Sequence, residues 1–378
     1  MINTIFKTIF DLSQSSYWLL LLWLFSAGVM LNMLPKRTEV INGTGHERWY
    51  WISALLLVLP YIFFAAYREN FMDTGGYALN FRNASSSLSD ALAIFTSDTK
   101  DAGYYALVVL VKALGVPSYE IYFLLVAGFQ MICILSVFRK YSPNLWASIF
   151  LFIASADYIS WMFNGIRQFL AVTMIFAATD WLLSRKYVRY LCVVLVASTI
   201  HQSALLMLPF ALIMLGPAMN RKTLMMIAGC VLFLPLADRF LPVFQDILSD
   251  TQYDDIMSNG IWENDDGTNI IRVLVYSTPA LLALFGRRYV QLEHAPVYNL
   301  CINASLISMA LYLVSSVTSG IYIGRVPIYV SLYGYILLPW LIDQIFEKTS
   351  AKLVYLVMIV LYFMYFYYQM QLVWGLLS

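Results

Sequence analysis

Charge is scarce in this chain. Of its 378 residues only 12% are Asp, Glu, Lys or Arg, about half the share a soluble domain carries, which argues against a water-soluble fold. Lys plus Arg number 23 and Asp plus Glu 22, so there is no basic surplus to hold nucleic acid. Histidine is scarcer still, at three residues, which argues against a histidine-rich metal centre. The four cysteines, Cys133, Cys192, Cys230 and Cys301, lie inside apolar runs and show neither the spacing of a zinc site nor that of a secreted disulfide framework. Internal repeats, low-complexity tracts and the Gly-rich loop of nucleotide-binding proteins are also missing. Neither a cofactor nor a metal is expected.

What the chain has instead is apolar length: 61% of its residues are hydrophobic. A span needs about 20 mostly apolar residues, and Lys and Arg gather in cytoplasmic connections. Six basic clusters punctuate the runs: Lys36-Arg37 with Arg48, Arg139-Lys140, Arg185-Lys186 with Arg189, Arg221-Lys222, Arg287-Arg288, and Lys348 with Lys352. Putting all six on the cytoplasmic side predicts spans near 16–34, 50–67, 119–138, 145–163, 167–184, 187–203, 204–220, 223–242, 269–286, 297–317, 323–344 and 353–374. The expected fold is an all-α polytopic integral membrane protein of about 12 transmembrane helices (range 11–14), a single transmembrane domain over residues 1–378 with both termini outside. The first run, from Leu12 to Pro35, is long enough to stay as an anchor. Two outer loops are long, 68–117 and 243–268. The first contains an apolar stretch near 104–114 that is too short to span and reads as a re-entrant or interfacial helix. The second carries seven acids and no Lys or Arg. The stretch from Arg189 to Arg221 is short for two full helices, and a hairpin there would leave His201 at a recessed turn.

Arginines at the outer ends of spans break the positive-inside pattern: Arg68, Arg167, Arg272 and Arg325. Guanidinium stays charged and grips phosphate oxygens in pairs, so such a set suits a diphosphate at the interface. The ordinary alternative for each is an ion pair or contact with lipid headgroups. Asn164, Arg167 and Gln168 share a tight turn between spans, and their amides suit sugar hydroxyls or diphosphate oxygens. His201, in the sequence Thr-Ile-His-Gln-Ser, is a natural proton acceptor near neutral pH, against the alternative of a structural histidine. Asp73 is a rival base, its alternative being an ion pair with Arg68. Asp157 reads as a buried support for the site, and Tyr158, Trp161, Tyr253 and Trp262 as surfaces for sugar faces or members of an interfacial belt.

These segments resemble the EpsG-like family of bacterial exopolysaccharide and O-antigen polymerases, often called Wzy-type. The resemblance rests on Arg68, Asp73 and Tyr77, on Asn164-x-x-Arg167-Gln168 before a span, on His201-x-Ser203-Ala204-Leu205, and on Gly324-Arg325 opening a late aromatic helix. It implies a metal-independent glycosyltransferase of the bacterial inner membrane, with its site facing the periplasm or cell exterior. Its substrates would be undecaprenyl-pyrophosphate-linked glycans drawn from the membrane lipid. A chain-length regulator protein and a flippase are the partners such an enzyme would work beside. Arg68, Tyr77, Asn164, Arg167, Gln168, Arg272 and Arg325 would then bind substrate, and His201 or Asp73 would be the base. A lipid-linked glycan ligase or a membrane acyltransferase could use the same residues. A lipid-linked oligosaccharide flippase would need charge distributed across the bilayer rather than at one level.

Overall fold

The computed structural model describes residues 15–41, 44–68, 71–236, 267–290 and 296–376. They form two compact units, one from Met1–Leu205 with Lys352–Ser378, the other Leu206–Ala351.

In the first unit, α1 (Ser15–Asn32) leads into a hairpin of β1 (Arg37–Ile41) and β2 (Thr44–Arg48), then α2 (Trp51–Tyr67). Three short helices follow, α3 (Thr74–Asn83), α4 (Leu88–Phe95) and α5 (Ala102–Ala113). The longest element of this part is α6 (Tyr119–Tyr141), which packs along α2 and α9 (Ile166–Ala177). Between them lie α7 (Leu145–Ala154) and α8 (Asp157–Asn164), bent by 69° where Ala156 takes a left-handed conformation (φ 65°). The last five residues of α8, Ser160–Asn164, are π-helical. After α9 come α10 (Thr179–Leu183) and α11 (Tyr187–Ile200), which packs on α9.

Aromatic residues with polar tips hold these helices together, because in hydrocarbon every polar group must find a protein partner. The Tyr61 hydroxyl donates to the Leu20 carbonyl at 2.7 Å and the Trp23 indole to the Leu57 carbonyl at 3.0 Å. At the C-terminal end of α6 the basic clusters meet. Arg48 donates to the Lys140 carbonyl (2.6 Å), Arg139 to the Trp49 carbonyl (3.0 Å), and Lys140 and Tyr141 both bond Asp180. Two clusters that sequence assigned to one side are therefore gathered at one helix end. Phe123, near the other end, lies seventeen residues from Lys140, about 25 Å at 1.5 Å per residue, close to the thickness of a bilayer core.

The second unit contains α12 (Met207–Met214), α13 (Arg221–Phe233), α14 (Ile270–Phe285), α15 (Pro296–Ser315) and α16 (Ile328–Ile345). Every residue from Ile328 to Ile342 is buried, so α16 is apolar all round, as a central helix should be. Asn303, fully buried on α15, receives the Met219 N–H (2.7 Å) and donates to the carbonyls of Met214 (2.9 Å) and Pro217 (3.0 Å). One amide thus satisfies the irregular backbone that follows α12. The final helix, α17 (Lys348–Tyr367), continues as a π-helix to Val373.

Helix occupies part of each of the twelve apolar runs, but helix length alone supports fewer crossings than twelve. Among the described residues four helices are long and apolar enough to cross, α6, α15, α16 and α17 with its extension, and a fifth if the bent α7–α8 pair is one span. Seven more apolar helices have 10–17 residues. Part of the difference comes from breaks at Ala156 and Ala178, which divide runs that read as continuous, while the break at His201 falls at the turn expected there. The expectation of a wholly α fold also needs correction at the hairpin: Thr38, Val40 and Ile41 favour strand, and the Asn42-Gly43 sequence that follows is a strong hairpin signal. The segment 68–117, expected as an outer loop, holds α3 and α4 besides the expected helix near 104–114. Most of loop 243–268, with Tyr253 and Trp262, lies outside the described residues.

This arrangement of α6 predicts a sidedness that can be read directly. With the native cysteines removed, Asn83→Cys and Lys186→Cys, both exposed, should react with an impermeant thiol reagent from opposite faces of the membrane. Labelling of both in intact cells would contradict it.

Candidate functional site

The site grows from the end of α2, where the helix stops at Arg68 with its side chain turned inward (8% exposed). Its Nε donates to the Thr74 hydroxyl (3.0 Å), Nη1 to the Ala65 carbonyl and Nη2 to the Phe163 carbonyl (3.3 Å). The guanidinium lies over the rings of Phe123 (4.3 Å) and Phe163 (4.9 Å), a favourable cation–π geometry. Among the described residues no carboxylate pairs with it. The ion pair with Arg68, the alternative role for Asp73, is not among the ion pairs of the described residues. Burial pulls the Arg68 guanidinium down from its ordinary value to about 10, so it remains cationic at neutral pH. Three of its five N–H groups are used, leaving one on each terminal nitrogen.

Asp73 lies at the start of α3 with its carboxylate exposed and no side-chain cap bond to the helix. Its backbone N–H donates to Asn164 Oδ1 at 3.4 Å. Residues 163 and 164 therefore hold both Arg68 and the backbone of Asp73. The turn after them depends on Gly165, because a Cβ there would lie 2.7 Å from the Trp161 ring. The neighbouring Ile166 carbonyl accepts from Gln130 Nε2 (3.3 Å). A π-helical turn ending in such a constrained junction is common at functional sites.

Arg167, at the first turn of α9, donates from Nη1 to Asp101 Oδ2 at 2.9 Å. Asp101 sits just before α5 in a left-handed conformation (φ 55°), tolerable for aspartate. Its second oxygen accepts the Gln202 N–H at 3.3 Å. Burial raises the Asp101 carboxyl above its ordinary value, and the Arg167 charge opposes that rise. Sequence analysis passed over Asp101, since nothing local distinguishes it from Asp98 nearby. Gln202 follows His201, where α11 ends and the backbone turns extended (ψ 116°). His201 is buried, and its Nδ1 lies 2.7 Å from the Ser203 hydroxyl.

Seven of the nine expected site residues thus belong to the first unit. Arg68, Asp73, Asn164 and Arg167 share one junction, to which His201 is tied through Gln202 and Asp101. Tyr77 and Gln168 are buried. Tyr77 packs edge-on against Tyr104 (6.0 Å) in the apolar cluster beneath the junction, with Phe81, Tyr122 and Phe123. Tyr158 and Trp161 are core residues too: the Tyr158 hydroxyl donates to the Tyr61 carbonyl and the Trp161 indole to Asp157 Oδ1 (3.1 Å). They are not presented as sugar platforms, and Asp157 anchors α8 from within.

Arg272 and Arg325 lie in the second unit. Arg272 sits over the Tyr276 ring (5.5 Å), which in turn packs on Tyr312 (4.7 Å). Arg325 ends a 3-10 turn beginning at Ile323. Gly324 beside it lies so near Thr268 that a Cβ would come within 2.6 Å of the threonine hydroxyl, and Ser315 Oγ donates to that same oxygen (2.8 Å). Thr268 therefore ties together the elements that carry the two arginines.

Many apolar helices around polar junctions define a multi-pass membrane protein with a buried cationic site. The sequence profile of the EpsG family matches residues 51–373, and the chain belongs to that family, which associates it with polysaccharide biosynthesis at a membrane. No curated protein and no solved structure matches it.

The Arg167–Asp101 pair gives a measurable expectation. Asp101 is 3% exposed at its side chain, so Asp101→Ala leaves a partly buried guanidinium unpaired and should cost about 3 kcal/mol. Glu47→Ala removes an exposed partner 3.7 Å from Lys36 and should cost about 0–1 kcal/mol. Unfolding in detergent followed by tryptophan fluorescence checks both; equal stabilities would remove Asp101 from the junction.

Proposed function

We propose that this protein polymerises undecaprenyl-diphosphate-linked oligosaccharide repeats at the outer face of the bacterial inner membrane, extending O-antigen, capsule or exopolysaccharide. The observation that carries the reading is the buried Arg68 guanidinium, which among the described residues has no carboxylate partner and keeps an N–H on each terminal nitrogen. A lipid diphosphate supplies the missing anion.

In the proposed reaction an acceptor sugar hydroxyl attacks the anomeric carbon of the donor glycan. The bond from that carbon to the diphosphate oxygen breaks, and the lipid diphosphate leaves with the electron pair. Arg68 and Arg167 stabilise the charge developing on that oxygen, Arg167 less strongly because Asp101 already offsets its charge. Asn164 orients substrate, and Gln168 supports the turn. Tyr77 acts by shaping the pocket floor. Arg272 and Arg325 are proposed to contact anionic groups of substrate in their own right.

The hydroxyl proton goes to a base, and exposure favours Asp73, whose carboxylate reaches solvent, over His201, which is buried against Ser203. The histidine then serves as a positioning residue at the break after α11. Family membership supports polysaccharide polymerisation and leaves a glycan ligase as the competing transferase. A flippase fits less well, because Arg68 and the basic end of α6 form two separate levels rather than a path.

Glycan ladders on gels from cells carrying each variant test this. Arg68→Lys keeps charge but loses the planar fork and should abolish long chains while protein level stays normal. Arg185→Ala should leave the ladder unchanged. Asp73→Asn should slow elongation on the order of 10²–10⁴-fold, the usual contribution of a general base, and more than His201→Gln does. A wild-type ladder from Arg68→Lys would remove the anion site; the reverse ranking of the last two would make histidine the base.

A further inference from the structure

A second cationic site lies at the other end of α6, where the candidate reaction has no use for it. A cavity of about 640 Å³ opens between α1, β2, the C-terminal end of α6 and the start of α7. One wall is apolar, formed by Phe25, Val29 and Trp146; the other carries Lys36, Arg48 and Arg139. Trp146 is seated against Gly28, where a Cβ would come within 2.2 Å of the indole, and its N–H donates to the Leu24 carbonyl (2.9 Å). The indole thus forms a rigid wall.

The cations of this cavity are not balanced. Glu47 is the one carboxylate among the lining residues; it is largely exposed and lies 3.7 Å from Lys36. Arg48 is buried, with Glu39 as its carboxylate partner. Arg139 forms no ion pair among the described residues; it donates to the Trp49 carbonyl, lies over the face of Trp51 (4.6 Å), and shares the field of Glu39 with Arg48. The Nε atoms of Arg48 and Arg139 are both buried without a hydrogen-bond partner, a costly state for a charged group. A phosphate oxygen beside these guanidinia would offset that cost.

We propose that this cavity binds the phosphate headgroup of an anionic membrane phospholipid. The phosphate sits against Arg48, Arg139 and Lys36, and the glycerol and first acyl carbons run along Trp146 and Phe25. The apolar wall selects a lipid over a soluble anion: Val29 on that wall is 59% exposed and continues the surface of α1 outward. Basic pockets between spanning helices are a common form of headgroup site, and tryptophan suits the interfacial level. The site lies about 25 Å along α6 from Phe123, so it is separate from Arg68. On this reading it ties the hairpin and α1 to the membrane and does not enter the reaction.

Native mass spectrometry of the full-length protein in neutral detergent tests the proposal, with titrations of phosphatidylglycerol, phosphatidylcholine and inorganic phosphate. Wild type should retain one phosphatidylglycerol and bind phosphatidylcholine and inorganic phosphate much more weakly. Arg139→Gln should weaken phosphatidylglycerol about five- to tenfold, while Arg185→Gln binds as wild type. Asn32→Trp fills the cavity from α1 without touching a charge, and should block binding as well, so the test holds even if Arg139→Gln fails to fold. Phosphatidylcholine bound as well as phosphatidylglycerol would overturn the proposal. So would inorganic phosphate bound as tightly as the lipid, or phosphatidylglycerol binding unchanged in Asn32→Trp.

Discussion

A guanidinium taken out of water must be compensated, and the arrangement around Arg68 answers to that constraint. Desolvating such a cation costs several kcal/mol even after relaxation. Here two backbone carbonyls, one hydroxyl and two aromatic faces share the compensation. Each partner imposes a requirement on the chain. The Phe163 carbonyl is free to accept because it lies in the last turn of α8. Thr74 must open α3 directly after the turn. Phe123 must sit near the start of α6. None of these partners is an anion, so the site keeps its positive charge, which is what a departing diphosphate requires.

Arg167 shows the opposite solution in the same junction. Its charge is met by Asp101, and that carboxylate also holds the Gln202 N–H. The α5 start, the α9 start and the end of α11 are thereby fastened at a single carboxylate. Of the two arginines one is structurally neutralised and one remains available. This division is the physical basis for assigning them unequal roles.

Apolar runs and basic clusters made the helices legible, and the run of Asn164, Arg167 and Gln168 between spans marked the turn, because these are local patterns. The break at His201 was legible too, from a run too short for two helices. Asp101 was not, since its partner is 66 residues away and an ion pair between distant segments leaves no spacing to read. Tyr158 and Trp161 looked like sugar-binding surfaces because an aromatic in a membrane protein has the same local sequence whether it faces core or interface. The helices α3 and α4 were missed because, at ten and eight residues, they are far shorter than a span and lie in a stretch that reads as a loop between spans. The hairpin was overlooked although its Asn-Gly signal is strong, because composition had already argued for helix alone.

The central claim is that a lipid diphosphate held at Arg68 is the leaving group of chain elongation. The most direct measurement uses purified protein in liposomes with a synthetic undecaprenyl-diphosphate-linked repeat as the only sugar source. Product length is read by mass spectrometry and released lipid diphosphate by chromatography. The account predicts oligomers growing by whole repeats, with one lipid diphosphate freed per bond and neither appearing with Arg68→Ala. Oligomers without released lipid diphosphate, or undiminished elongation by Arg68→Ala, would contradict it.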